Sequence, residues 1–149
     1  SAAARAAWQL AAERFHRYNS PVFELWGKEA REGVRSGRDG WRESALLYLD
    51  AQPRFFRSGY LRDHLSHLLK GSNLSNDECE HLRATMLKAV PHRPSVGRFC
   101  YDCRLAARLS NARFEQALVE LTALKDGWTR GRAQRMLSAV RATRRESTA

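Results

Sequence analysis

The spacing of apolar residues and of helix-breaking residues constrains the fold of this chain more than any other feature. Apolar side chains recur every three or four positions, and Pro, Gly, Ser or Asn interrupts each such stretch after about 10 to 18 residues. No segment shows the alternation of apolar and polar residues that marks a half-buried β-strand. The pattern predicts an all-α fold of about eight short helices packed as antiparallel hairpins, in an irregular helical bundle or a short right-handed helical solenoid.

The length of the chain, 149 residues, fits one domain with one apolar core. We expect this all-helical domain to cover residues 1–145 and residues 146–149 to form a frayed C-terminal tail. The clearest helix start is at Ser75-Asn76-Asp77-Glu78, which matches a capping box. A first helix over Ala2–Asn19 is expected to turn Trp8 and Phe15 toward the core, because they lie at helical spacing.

Three other helices carry expectations that bear on function. Ser20 is a plausible N-cap and predicts a second helix that begins just after it. A sixth helix over Pro94–Leu109 would place Cys100 and Cys103 together on its apolar side. The last helix, over about Thr129–Thr143, is expected to bury its apolar residues and to turn its arginines outward.

The charge of the chain is strongly positive, and arginine supplies most of it. The formal net charge is +10, and 22 of the 26 basic residues are Arg. The planar guanidinium group suits recognition of phosphate and carboxylate, so the bias favours an anionic partner. A GC-rich genome would produce the same bias, and the sequence leaves both explanations open.

The basic residues are concentrated toward the C-terminus, where Trp128 to Arg145 contains no Asp or Glu. We predict a nucleic-acid or anion-binding face made of Arg98, Arg104, Arg108, Arg130, Arg132, Arg135, Arg141, Arg144 and Arg145. Three aromatic residues near it, Phe99, Tyr101 and Trp128, could stack on unpaired bases. The alternative is that the positive charge of this face only keeps the protein soluble.

The sequence therefore predicts a non-enzymatic basic helical binding module that contacts nucleic acid, RNA more than DNA. The alternative is a protein–protein interaction domain that binds an acidic or phosphorylated peptide or a partner helix. No P-loop, G-x-G-x-x-G or G-x-S-x-G motif is present, and we predict no catalytic residue, no metal and no cofactor.

Two metal sites remain as alternatives that the residue spacing allows. A zinc site could take four ligands from the set Cys79, Cys100, Cys103 and His81 or His92. The pair His64 and His67 could also face one metal from a single helix, but a third ligand is not evident. In the structural interpretation, the C-x-x-C cysteines pack in the core, and one histidine is half-buried while the other faces solvent.

The odd number of cysteines, three, argues against a secreted disulfide framework. We expect an intracellular, reducing compartment, nuclear or cytoplasmic. No apolar run approaches the roughly 20 residues that a membrane-spanning helix needs. The start at Ser1, without an initiator Met, suggests a fragment of a larger protein.

Overall fold

A computed structural model of the chain describes residues 2–17, 21–55, 57–91 and 98–146. These residues form eight α-helices and one 3₁₀ helix, and none of them forms a strand, which confirms the all-α prediction. The 3₁₀ helix is Pro21–Trp26. The α-helices are α1 Ala2–Arg17, α2 Lys28–Ser36, α3 Trp41–Ala51, α4 Ser58–Lys70, α5 Asn76–Ala89, α6 Phe99–Leu109, α7 Ala112–Thr122 and α8 Gly127–Glu146.

The helices after α1 alternate between two layers. Helices α2, α4, α6 and α8 pack each against the next and form what we call the even layer. Helices α3, α5 and α7 do the same on the other side and form the odd layer. The chain crosses from one layer to the other at every connection, as in a short solenoid of stacked hairpins.

Three helices of the even layer run in the same direction. Arg62 near the start of α4 contacts Asp102 near the start of α6, and the end of α4 meets Arg108 near the end of α6. Arg132, in the first half of α8, likewise lies over Phe99 at the start of α6. Side chains at equal heights of these helices therefore lie side by side on one surface.

One apolar core lies between the two layers. Its largest fully buried side chains come from both layers and include Leu61, Leu65, Leu82, Leu105, Phe114, Leu118 and Met136. Leucines at such sites typically contribute about 2–5 kcal/mol each to stability, judged by the cost of truncation to Ala. The core therefore holds α2 to α8 together as one body.

The helix start that the sequence predicts at Ser75 is present in the structure. Ser75 Oγ accepts a hydrogen bond from Glu78 N at 3.2 Å, and Glu78 Oε2 accepts one from Ser75 N at 2.7 Å, which is the expected capping box. At the start of α7, Asn111 accepts a hydrogen bond from Phe114 N at 2.8 Å. These bonds satisfy orphan N–H groups within the first turn.

The hairpin of α2 and α3 depends on a close approach at Gly33. A Cβ atom added there would collide with the Trp41 ring, so only glycine lets the two helices pack this closely. The loop that follows contains Gly37 at φ +75°, a left-handed conformation that suits glycine at the end of α2.

The first two helices differ from the sequence prediction. Helix α1 ends at Arg17 in the described part, and Trp8 is 71% exposed, so the prediction that Trp8 faces the core is wrong. The expected inward residue Phe15 and the expected N-cap Ser20 cannot be compared, because they lie outside the described side chains. The second helix is split into the 3₁₀ helix and α2, with Gly27 between them.

Two predictions on the later helices are also wrong in detail. Helix α6 begins at Phe99, and Pro94 lies outside the described residues. On α6, Cys103 is buried while Cys100 is exposed, so the two cysteines do not share the apolar face. On α8, Arg132 is only 8% exposed and does not point outward.

Helix α8 continues through Glu146, and residues 147–149 lie outside the described part. The division into a domain over 1–145 and a tail over 146–149 stays a prediction. Among the described residues, none of the helices combines the length and the apolar character that crossing a membrane would require.

Candidate anion-binding face

The two layers carry opposite net charge. Helices of the even layer contain 13 Lys and Arg against 5 Asp and Glu, a net charge of +8. Helices of the odd layer contain 4 Lys and Arg against 7 Asp and Glu, a net charge of −3. The positive charge of the chain is thus concentrated on one side of the stack, where it can act on a single ligand.

Part of the arginine content serves the fold. Four arginines each donate hydrogen bonds to carbonyl groups at the C-terminal end of another helix. They are Arg42 at the end of α2, Arg62 at the end of α3, Arg108 at the end of α4 and Arg83 at the end of α6. A cation at a helix C-terminus satisfies orphan carbonyls and interacts favourably with the helix dipole.

The outer surface of the even layer carries a different set of arginines. Arg31 and Arg35 of α2 are exposed and lie within electrostatic range of His64 on α4. Arg104 of α6 is exposed, and Arg135 of α8 is exposed and within electrostatic range of Cys103, the residue before Arg104. Within the described part of the chain, none of these four arginines forms an ion pair.

Helix α8 divides its arginines between its two sides. Arg141 Nε and Arg144 NH1 both contact the carboxylate of Glu115 on α7, at 2.9 and 3.2 Å. Arg130 lies eleven positions before Arg141, about three turns, and so shares that side of α8. Arg132 and Arg135 lie on the other side, against α6. The predicted face is therefore split into two rows, and Arg145 is exposed in the last turn.

Arg98, which directly precedes α6, and the two predicted arginines within α6 have three different surroundings. Arg98 is exposed, and its backbone N–H donates to Asp63 Oδ1 at 2.7 Å. The guanidinium of Arg104 lies 5.6 Å from the centroid of the Tyr101 ring and leaves its N–H edge to solvent. Arg108 donates to Leu69 O at 3.0 Å and to Ser72 O at 2.6 Å, so much of its hydrogen-bonding capacity is used within the fold.

Arg132 is the buried member of the set and belongs to a cluster of charges between α4, α6 and α8. Asp102, only 5% exposed, receives Arg62 NH2 at 3.1 Å and Ser66 Oγ at 3.4 Å. The guanidinium carbon of Arg132 lies 3.8 Å from the centroid of the Phe99 ring. Its Nε is buried and has no hydrogen-bond partner among the described residues.

The aromatic residues that could stack on bases are only partly available. Phe99 is buried beneath Arg132, and Tyr101 is half-buried beside Arg104. Trp128 is 38% exposed and lies 5.6 Å from Arg132, ring centroid to guanidinium carbon. Base stacking on this surface thus falls mainly to Trp128.

The histidines and cysteines do not assemble into a metal site in the described part. No group of three or more His, Cys, Asp or Glu side chains there could hold a metal ion, and His92 lies outside it. Burial raises the pKa of Cys103 to about 12, which keeps the thiol protonated. The imidazole of His64 stacks on Trp26 with centroids 4.9 Å apart, whereas His67 is exposed.

Asp63 and His64, adjacent on α4, both have pKa values displaced toward the neutral form. Burial raises the pKa of Asp63 despite the hydrogen bond from Arg98 N. Burial lowers the pKa of His64, and the charges of Arg31, His67 and Arg35 lower it further. Because the His64 imidazole favours its neutral form, Arg31 and Arg35 carry the positive charge beside it.

Sequence reasoning missed Arg31 and Arg35, because they lie in the half of the chain that carries less excess charge. The sequence does contain a signal: α2, α4, α6 and α8 each have a positive net charge, whereas α3, α5 and α7 each have a negative one.

No family model matches this chain, and no significant similarity to a curated protein or to a solved structure was found.

Proposed function

We propose that this protein is a non-enzymatic helical module that binds nucleic acid across the outer surface of its even layer. The observation that carries the proposal is the charge difference between the layers, +8 against −3. Neighbouring packed helices lie about 8–10 Å apart, so four of them present positive charge over roughly 30 Å. A surface of that length suits a polyanion better than a single small anion.

The packing of the helices favours single-stranded RNA over duplex DNA. Reading duplex DNA requires a helix that enters a major groove about 12 Å wide. Helices α4 and α6 are flanked on both sides within the layer, and α8 is flanked by α6 and α7. A flexible single strand can follow such a surface, with phosphates on the arginines and bases near Trp128.

The phosphate contacts are assigned first to arginines that have no ion pair among the described residues. These are Arg31, Arg35, Arg98, Arg104, Arg130 and Arg135. Arg141 and Arg144 would have to share their charge between Glu115 and the ligand. Arg108 has the least free hydrogen-bonding capacity, because it donates to Leu69 O and Ser72 O, and Arg132 is the least exposed of the predicted set.

Fluorescence anisotropy with a labelled single-stranded RNA and a duplex DNA of equal length tests the proposal. Titrations at two ionic strengths should show tighter binding to the RNA and a steep loss of affinity with salt. Four to six phosphate contacts predict a slope of log K against log[salt] of about −3 to −4 for a single strand. Binding that is micromolar or weaker and does not change with salt concentration would contradict the proposal.

A second candidate partner is an acidic or phosphorylated peptide, which the same charge would attract. The exposed N–H edges of Arg104 and Arg135 can bind carboxylates as well as phosphodiesters. Competition separates the two candidates. Poly-glutamate is added at the same concentration of negative charge as unlabelled RNA. If both displace the labelled RNA equally well, the surface does not distinguish phosphates from carboxylates, and an acidic peptide is the favoured partner.

A further inference from the structure

The charge cluster between α4, α6 and α8 contains more positive than negative charge in a buried place. Arg62 is 7% exposed, Arg132 is 8% exposed, and Asp102 is the buried carboxylate that lies between them. Arginine stays protonated in proteins and cannot relieve its burial by losing a proton. Arg62 also interacts electrostatically with the half-buried Asp63, whereas Asp102 is the carboxylate that acts on Arg132. The charge of Arg132 is therefore compensated only by a carboxylate that it shares with Arg62, and an anion that joined it would lower the cost of its burial.

Asp102 is already committed to Arg62. Its Oδ2 accepts hydrogen bonds from Arg62 Nε at 3.4 Å and from Arg62 NH2 at 3.1 Å, while Oδ1 accepts one from Ser66. Arg132 makes no hydrogen bond to this carboxylate, although the two groups interact electrostatically. The hydrogen-bonding edge of Arg132 is therefore the part of the cluster whose donors are not used.

The aromatic rings beside Arg132 leave the in-plane N–H groups of its guanidinium as the part that can bind a ligand. One face of the guanidinium lies against Phe99, and Trp128 lies further off at 5.6 Å. A guanidinium held by aromatic rings keeps its in-plane N–H groups for a planar or tetrahedral oxyanion. Trp128 precedes Arg132 by four positions and Arg135 follows it by three, so both flank it on the same side of α8.

We infer that Arg132 and Arg135, beside Trp128, form a binding site for a single phosphate group. The buried guanidinium supplies a fixed donor edge, and the exposed guanidinium of Arg135 supplies the second charge that a phosphate dianion needs. The phosphate can belong to a nucleic-acid backbone or be free, because the chemistry recognised is the same. The site does not depend on the proposed function: inorganic phosphate can bind here even if RNA does not bind the even layer.

Nitrogen-15 NMR of the arginine Nε–H groups, with inorganic phosphate as the probe, tests the site directly. Sodium chloride keeps the ionic strength constant, and the signal of Arg132 is assigned from its absence in an Arg132→Lys variant. We expect a saturable shift of the Arg132 signal during the phosphate titration. A signal that does not move, or that moves linearly with every other arginine signal, overturns the inference.

Matched variants locate the site and separate binding from folding. Arg135→Gln removes an exposed charge, so the fold is kept, and it should weaken phosphate binding by about tenfold, the loss of one charge-assisted contact. Arg141→Gln removes an exposed arginine from the opposite side of α8 and should change binding less than twofold. Equal effects of the two variants would contradict a site at Arg132.

Two further probes identify the source of the phosphate. A dinucleotide phosphodiester that shifts the Arg132 signal at lower concentration than inorganic phosphate assigns the site to a nucleic-acid backbone. The reverse order assigns it to a free phosphate or a phosphomonoester. Acetate at equal concentration should not saturate the site, and saturation by acetate would overturn the assignment to phosphate.

Discussion

The even and odd layers share one apolar core, yet they use their charged residues in opposite ways. In the odd layer, several carboxylates form ion pairs near the surface, as Asp50 does with Lys88 at 3.2 Å. In the even layer, Asp102 is buried within the core, and exposed arginines stand without carboxylate partners among the described residues. The odd layer therefore pairs several of its own charges, whereas the even layer leaves exposed arginines that the proposed anionic partner would contact.

The largest expected effect concerns the buried carboxylate of the even layer. Asp102→Asn removes the buried carboxylate that binds Arg62 and acts on Arg132, so the free energy of unfolding should fall by about 3–5 kcal/mol. The matched change in the odd layer, Asp50→Asn, removes a carboxylate whose side chain is 40% exposed and should cost less than about 1 kcal/mol. Urea denaturation of both variants measures the difference, and equal costs would break the comparison.

The second prediction sets the two layers against each other in binding. Replacing Arg35, Arg104 and Arg135 together by Gln should weaken RNA binding by about 100-fold at low salt and make the salt dependence shallower. A control with the same change of net charge on the odd layer is the triple variant Lys88→Gln, Arg113→Gln and Gln116→Glu. That control should stay within about threefold of the unaltered protein. Equal losses would mean that only net charge matters.

A third test uses pH, because His64 of the even layer is surrounded by positive charge. Its folded-state pKa is lowered, so at acid pH the unfolded chain takes up this proton more readily than the folded protein. The contribution of His64 to stability is present above the unfolded pKa of 6.5 and is lost as the pH falls through the folded pKa. His64→Gln should flatten the fall in stability below about pH 6.5.

The matched histidine of the odd layer is His81, which is exposed and lies within electrostatic range of Asp50. His81→Gln is the control for the replacement of an exposed histidine by Gln. Denaturation midpoints collected at several pH values compare the two variants. A steeper acid limb in His64→Gln than in the unaltered protein would contradict the assigned sign.

The smallest expected effect comes from Glu115, an odd-layer carboxylate that forms ion pairs with even-layer arginines. Glu115→Gln releases Arg141 and Arg144 and should tighten RNA binding by about twofold to threefold at low salt. The gain should vanish when Arg141, Arg144 and Arg145 are all replaced by Gln, a triple change that alone should weaken binding by about tenfold. A gain that persists in the triple variant would place the effect of Glu115 elsewhere.

The parts of the fold that follow from the sequence are those decided within a few residues. The capping box at Ser75 and Glu78 is complete within one turn, and its residue types leave few alternatives. The orientation of Trp8, in contrast, depends on residues far away in the chain. Helical spacing identifies an apolar stripe, but only tertiary packing decides whether another helix covers it, and α1 exposes this residue.

The site is harder to predict because the arginines look alike in sequence. Arg108 and Arg104 are one turn apart on α6, yet Arg108 reaches carbonyls 39 and 36 positions earlier in the chain while Arg104 faces solvent. On α8, Arg132 is buried over the Phe99 ring, whereas Arg135, one turn later, is exposed. Which arginine serves the fold is set by what the neighbouring helix presents, and one sequence does not contain that pairing explicitly.

The arginines that bind the ends of other helices also bear on how the stack unfolds. In stacked-hairpin proteins each unit contacts only its neighbours, and such arrays tend to lose their hairpins one at a time. Here Arg108 and Arg83 bind helix ends 39 and 26 positions away, and Arg42, which binds the end of α2, also donates to Asn73 O in the loop after α4, 31 positions away. When one hairpin opens, the next hairpin therefore loses the arginine hydrogen bonds to its helix ends. Amide hydrogen exchange in α2 to α8 should then report one concerted unfolding event.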